Sequence, residues 1–159
     1  FKPNAQVVRP TTDFLRENLF NILQTNIENS TFADIFAGSG AVGIEALSRG
    51  AKSVTFVEIN NSITEIIKKN LDSLLLIQKV ILHDGIKFLK SSTETFDIIF
   101  ADPPYFMNYE EEILQAVLNG NTLNINGILI IQHHKKVKLS LEPYDYRLYG
   151  INALSFYRK

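Results

Sequence analysis

The chain has 159 residues, 45% hydrophobic and 21% charged, with a formal net charge of −1. That length fits a single domain, 1–159, burying roughly 70% of its unfolded surface, and the charge gives no global sign of a nucleic-acid partner. With no cysteine there is no disulfide, thiolate metal site or Cys nucleophile; no apolar run nears the ~20 residues of a membrane span and no signal peptide is visible, so a cytoplasmic protein is expected.

Phe1 to Pro10 reads as extended and irregular. Met107 is the only methionine, so a preceding N-terminal piece, able to carry further positive charge, is expected. Thr11 or Thr12 can cap a helix running to about Thr25, with Phe14, Leu15, Leu19, Ile22 and Leu23 on one face. Thr31 to Phe36 reads as a strand. Gly38 to Gly43 is a turn opening a helix that ends at Arg49-Gly50. Ser53 to Val57 is a strand closed by Glu58, and Ser62 to about Leu76 is a helix with Ile63, Ile66, Ile67, Asn70, Leu71 and Leu74 on one face.

Lys79 to Leu82 is the next strand, followed by His83-Asp84-Gly85 and a short helix through Leu89. Phe96 to Ala101 reads as a buried strand, and Tyr109 to Leu118 as a helix. Asn126-Gly127 is expected to turn the chain into a strand, Ile128 to Gln132. His133-His134-Lys135-Lys136-Val137-Lys138 reads either as a solvated loop or as a local basic element. Tyr144 to Tyr157, around Tyr149-Gly150, resembles a β-hairpin.

Strands alternating with helices imply an α/β fold, a parallel sheet covered on both faces, with the closing hairpin antiparallel at one side. In such sheets ligands bind beyond the carboxyl ends of the strands. Gly38, Glu58, Asp84 and Asp102 all fall at such ends, which predicts one site.

Phe36-Ala37-Gly38-Ser39-Gly40-Ala41-Val42-Gly43 holds G-x-G-x-x-G between a strand and a helix. Glycines there permit positive φ, close ligand approach and tight helix packing. Glu58 is placed to accept from both ribose hydroxyls of an adenosine-type cofactor. NAD and S-adenosylmethionine both present that ribose, so the pair leaves them unseparated. Asp34 either caps the turn through backbone amides or orients the loop and meets the cofactor's amino group. Asp84-Gly85 either makes a simple turn or accepts from the adenine amine.

Asp102-Pro103-Pro104-Tyr105 separates the cofactors. An exocyclic amine on a base is a poor nucleophile because its lone pair is delocalised into the ring. Two acceptors, the Asp102 carboxylate and the Pro103 carbonyl, can hold both N–H groups and turn the nitrogen towards tetrahedral geometry. The consecutive prolines fix the backbone that presents them. Such positioning can supply about 7–11 kcal/mol of a barrier. Tyr105 offers a stacking face worth about 1–3 kcal/mol, against the few kcal/mol that extruding a base takes. Phe106 and Tyr109 are candidate further walls; a plain Pro-Pro turn with a rim aromatic is the bland alternative.

Taken with Arg9-Pro10-Thr11-Thr12-Asp13, Arg16 to Leu23, Asp34 to Gly40, Glu45 to Ala51, Val57-Glu58, and the closing Tyr149-Gly150 and Ala153 to Tyr157, the tetrapeptide resembles the RsmD-type methyltransferases of small-subunit ribosomal RNA, which modify guanine N2. The resemblance covers nearly the whole chain. It implies a Rossmann-like class I methyltransferase fold with a mostly parallel seven-stranded sheet, S-adenosylmethionine as donor, and 16S rRNA as partner, within an assembling small subunit. It implies an amine and base set of Asp102, Pro103 and Tyr105, to which Pro104 and Phe106 are candidate additions; Arg9, Thr11 and Thr12 line either the cofactor's methionine end or the RNA entry, unless Thr11 only caps the helix. Gly38, Ser39, Gly40 and Glu58 are implied at the cofactor, with Asp84 at its adenine; Asp34, Phe36, Ala37 and Gly85 are candidates beside them. Members usually carry a short basic segment before Arg-Pro-Thr; here Lys2 is the sole charge between Phe1 and Val8. A monomer with no DNA partner and no metal is expected. A DNA or RNA adenine-N6 methyltransferase shares the tetrapeptide, though a DNA enzyme would normally need a target-recognition region; an NAD-dependent oxidoreductase explains only the glycine loop, and a non-catalytic RNA-binding domain is the third class.

Overall fold

The computed structural model describes residues 12–159. In chain order they form α1 (Asp13–Ile22), β1 (Thr31–Ile35), α2 (Ala41–Ser48), β2 (Ser53–Glu58), α3 (Asn61–Ser73), β3 (Lys79–Leu82), α4 (Gly85–Ser91), β4 (Phe96–Ala101), α5 (Tyr109–Asn119), β5 (Leu123–His134), β6 (Asp145–Tyr149) and β7 (Asn152–Arg158). Among the described residues no helix is long and apolar enough to cross a membrane.

The apolar runs of β1, β2 and β4 are buried nearly end to end, as strands covered on both faces must be. The sheet has the order β3-β2-β1-β4-β5-β7-β6. β1 to β5 are parallel, and β7 pairs antiparallel with both β5 and β6. Strand order reverses between β1 and β4, so the crevice expected of doubly wound sheets opens there. Leu15, Leu19 and Phe20 of α1, Val42 and Ala46 of α2, and Ile67 and Leu71 of α3 share one core with Phe32, Phe56 and Phe100. Ile86 and Leu89 of α4 and Ile113, Leu114 and Val117 of α5 share the other with Ile35, Ile99 and Ile131. This is the doubly wound α/β sheet with an antiparallel closing hairpin that the sequence predicts.

Thr12 takes the α1 cap, its Oγ1 accepting from Leu15 N at 3.3 Å. The helix stops at Ile22 rather than Thr25, because Leu23 closes it and Asn26 N turns back to Leu23 O at 2.8 Å. Phe14 leaves the expected apolar face: it is 65% exposed, its ring edge-on to Tyr149.

β5 departs from expectation at both ends. Phe96 pairs with Leu123 and Ile98 with Ile128, so Asn124 to Gly127 bulge out within one long strand. The positive φ of Asn126, +65°, is spent on this bulge rather than on a turn before the strand. Beyond Gln132 the strand continues through His133 and His134, which pair with Ala153 and Asn152. His133 is therefore buried and not part of a solvated loop; its Nε2 lies 2.8 Å from Ser155 Oγ.

Candidate functional site

The glycine loop leaves β1 through Phe36, which takes φ +60°, a costly value for a bulky residue. Its ring lies nearly parallel to Tyr109, the first residue of α5, with centroids 6.2 Å apart. Gly38 (φ +55°) and Gly40 (φ +80°) supply the left-handed backbone that carries the chain into α2. A Cβ on Gly38 would meet nothing within 4 Å, so the loop presents its backbone to open space.

Three anchors hold this loop. Glu58 Oε2 accepts from Gly38 N at 3.1 Å while its Oε1 accepts from Asn60 N at 3.0 Å. Asp34 Oδ2 accepts from Gly43 N at 2.9 Å. Asn70 of α3, which sequence reading passed over as part of an apolar face, donates from Nδ2 to Ser39 O at 3.1 Å. Its signal in the sequence is only a polar residue among apolar ones at helical spacing.

Two of the residues expected at the cofactor have a structural role in the loop. Asp34 is 1% exposed and accepts from the α2 amide of Gly43, so it orients the loop, one of the roles expected of it. Burial raises its pKa well above the usual carboxylate range; the Gly43 N–H opposes this, and the charges of Asp102 and Glu58 add to it. Gly85 is buried, and a Cβ there would come 2.8 Å from Ile35 Cγ2 and 3.1 Å from Phe36 Cζ. Its bare Cα serves packing beneath the loop. Asp84 caps α4, with Oδ1 accepting from Lys87 N at 2.8 Å, the turn role allowed for it.

The strand ends are stitched together. Ala37 N donates to Val57 O at 3.0 Å, His83 N to Glu58 O at 3.0 Å and Asp102 N to Ile35 O at 3.4 Å. Ile35 pairs with Ala101, so the tetrapeptide starts level with the glycine loop although 66 residues separate Phe36 and Asp102. Pro103 is buried, Pro104 and Phe106 are exposed, and Asp102 and Tyr105 are half-buried. Phe106 (φ +66°) and Asn108 (φ +55°) hold the following loop in left-handed conformations.

The Tyr105 hydroxyl donates to Asn152 Oδ1, and the Tyr105 ring stands edge-on to His134 at 5.8 Å and to Phe106 at 5.9 Å. Sequence reading missed His134 and Asn152. They face each other across β5 and β7, a pairing visible only once the hairpin register is known. Arg9 and Thr11 lie outside the described residues. Glu58, Asp84, the glycine loop and Asp102 to Tyr105 thus line one edge of the sheet.

The model of the family described as conserved hypothetical protein 95 matches residues 2–158. The ribosomal RNA small subunit methyltransferase D of Haemophilus influenzae is 38% identical over 137 residues, which span 83% of this chain and 71% of that protein. A hypothetical protein of Thermus thermophilus superposes with a TM-score of 0.85 at 31% identity, covering 98% of this chain and 91% of that one. A 16S rRNA N2 methyltransferase from the same genus, in complex with AdoMet and guanosine, superposes with a TM-score of 0.77 over 98% of this chain and 44% of that one. At 20% identity this last likeness is one of fold.

Proposed function

The chain belongs to the conserved hypothetical protein 95 family and is related to the ribosomal RNA small subunit methyltransferase D proteins, and on that premise we propose that it methylates the N2 amine of a guanine in 16S ribosomal RNA. The chain is an S-adenosylmethionine-dependent methyltransferase of ribosomal RNA. The guanine N2 atom, an assembling small subunit as the setting, action as a monomer, and a single domain over 1–159 are our reading.

S-adenosylmethionine fits the residues present. The Gly38 backbone borders open space, as a cofactor lying against the loop requires. Glu58 lies at its rim with both carboxylate oxygens on backbone amides, which fixes its orientation and leaves each oxygen a second lone pair for a ribose hydroxyl. Asp84 has Oδ2 for the adenine end, since Oδ1 alone caps α4. When bound, S-adenosylmethionine supplies an electrophilic methyl group.

The chain's own residues prepare the amine. The Asp102 carboxylate and the Pro103 carbonyl accept the two N–H groups and aim the nitrogen lone pair towards the glycine loop. Tyr105, fixed by Asn152, His134 and Phe106, stacks the extruded base. The observation that carries this reading is the hydrogen bond from Asp102 N to Ile35 O, because it sets the amine acceptors beside the cofactor loop.

The test is transfer of a labelled methyl group to 16S rRNA, followed by nuclease digestion and mass spectrometry. Label is expected on guanine N2, with Asp102→Ala abolishing it. Label on adenine or on protein overturns the assignment.

A further inference from the structure

We propose that the turn carrying Lys135, Lys136 and Lys138 grips the phosphates of the single-stranded RNA next to the target base; this rests on the reading above that the protein acts on RNA.

The turn is built rather than loose. Lys135 N donates to Ile151 O at 2.8 Å and Val137 N to His134 O at 2.9 Å. At its far end Ser140 N donates to Glu111 Oε2 at 2.9 Å, tying the segment to α5. The three lysines project from this frame, all exposed. Among the described residues none of them has an ion-pair partner, whereas Lys68, Lys79, Lys90 and Arg147 each have one. In a chain of net charge −1 this places three uncommitted cations within four positions.

Their position matters as much as their charge. His134 joins the turn to the base platform: its Nδ1 accepts from Lys136 N at 3.1 Å while its ring abuts Tyr105. On the other side of Asn152 the aromatic surface continues, since Asn152 pairs with Tyr149 and Tyr149 meets the exposed Phe14. A basic turn beside exposed aromatic rings suits an unpaired strand, whose phosphates need cations and whose bases need flat faces. A double helix offers its phosphates but keeps its bases stacked inside.

The measurement is the salt dependence of binding to 16S rRNA transcript and to small subunits from cells lacking the enzyme. The wild type is compared with Lys135→Gln/Lys136→Gln/Lys138→Gln and with Lys68→Gln/Lys69→Gln/Lys79→Gln, which removes equal charge elsewhere. Losing three phosphate contacts lowers the slope of log affinity against log salt by about 2, making binding about a hundredfold weaker at 0.1 M salt. Affinity for S-adenosylhomocysteine and Tm are expected to stay as in the wild type. An unchanged slope, an equal drop in the control variant, or wild-type affinity that ignores salt overturns the proposal. Failure of the guanine-N2 reading shows separately, as label on another atom with this salt signature intact, and that result supports the turn's role.

Discussion

Gly43 packs α2 against the side chains of β2. A Cβ there would overlap the Phe56 ring and come 2.8 Å from Val54 Cγ1, so the third glycine of the loop motif is required by packing. Gly43→Ala is expected to destabilise the fold by about 1–3 kcal/mol, since overpacking forces strained side chains or backbone shifts. Phe56→Leu in the same chain should recover part of that loss in urea denaturation; simple addition of the two losses would argue against the clash. Asp34 one strand away makes a pH-dependent contribution. Its raised folded pKa means the protonated form is favoured by the fold. Its stabilising contribution is therefore complete below the ordinary carboxylate pKa of the unfolded chain and is lost as pH rises through the folded value. Asp34→Asn cannot ionise, and its amide oxygen can still accept from Gly43. The stability of this variant relative to wild type should therefore climb from about pH 4 upward; a difference that is flat with pH would count against the buried charge.

At the opposite edge of the sheet, one carboxylate joins three elements. Asp97 on β4 accepts from Thr31 N at 2.9 Å and Thr31 Oγ1 at 3.0 Å at the start of β1, and from Asn124 Nδ2 at 2.9 Å in the β5 bulge. The Thr31 N–H bond is the main reason its pKa lies below the usual range. Its contribution is present above the unfolded pKa and disappears as pH falls through the folded one. Asp97→Ala should destabilise by about 1–3 kcal/mol at neutral pH, where donors are left unmet, and by less in strong acid. The same bulge shows why elements were only partly legible. Continuous runs such as Phe96 to Ala101 and Ser53 to Glu58 announce buried strands, and Thr12 announces a helix start. Asn126-Gly127 announces positive φ but not whether the bend joins two strands or kinks one. That choice is made by Asp97 binding Asn124, a contact between β4 and the bulge that no local pattern encodes. His133 likewise looks like the start of a basic run until β7 supplies Ser155 beneath it.

The whole sheet brings the site together because its order reverses between β1 and β4, so the glycine loop and the Asp102 to Tyr105 segment leave neighbouring strands. The joining of the glycine loop to Glu58 was legible: G-x-G-x-x-G with a carboxylate twenty residues on needs only local spacing and one parallel neighbour. The far wall was not, because His134 and Asn152 reach Tyr105 through an antiparallel hairpin whose register is a long-range property. Since the edge that carries the glycine loop, Glu58 and Asp102 is tied across β1, β2, β3 and β4 by backbone bonds, a ligand bound there would stabilise the molecule as a unit. At a hundredfold excess over Kd, S-adenosylhomocysteine should add about 2.7 kcal/mol, raising Tm by roughly 5–11 °C for a domain of this size. Asp102→Ala, which removes the acceptor altogether, is expected to keep this shift while losing methyl transfer, because on the proposed reading its carboxylate holds the amine and not the cofactor. Loss of both together would place Asp102 in cofactor binding, and a comparable shift with NADH would return the glycine loop to the dehydrogenase reading that the tetrapeptide displaced.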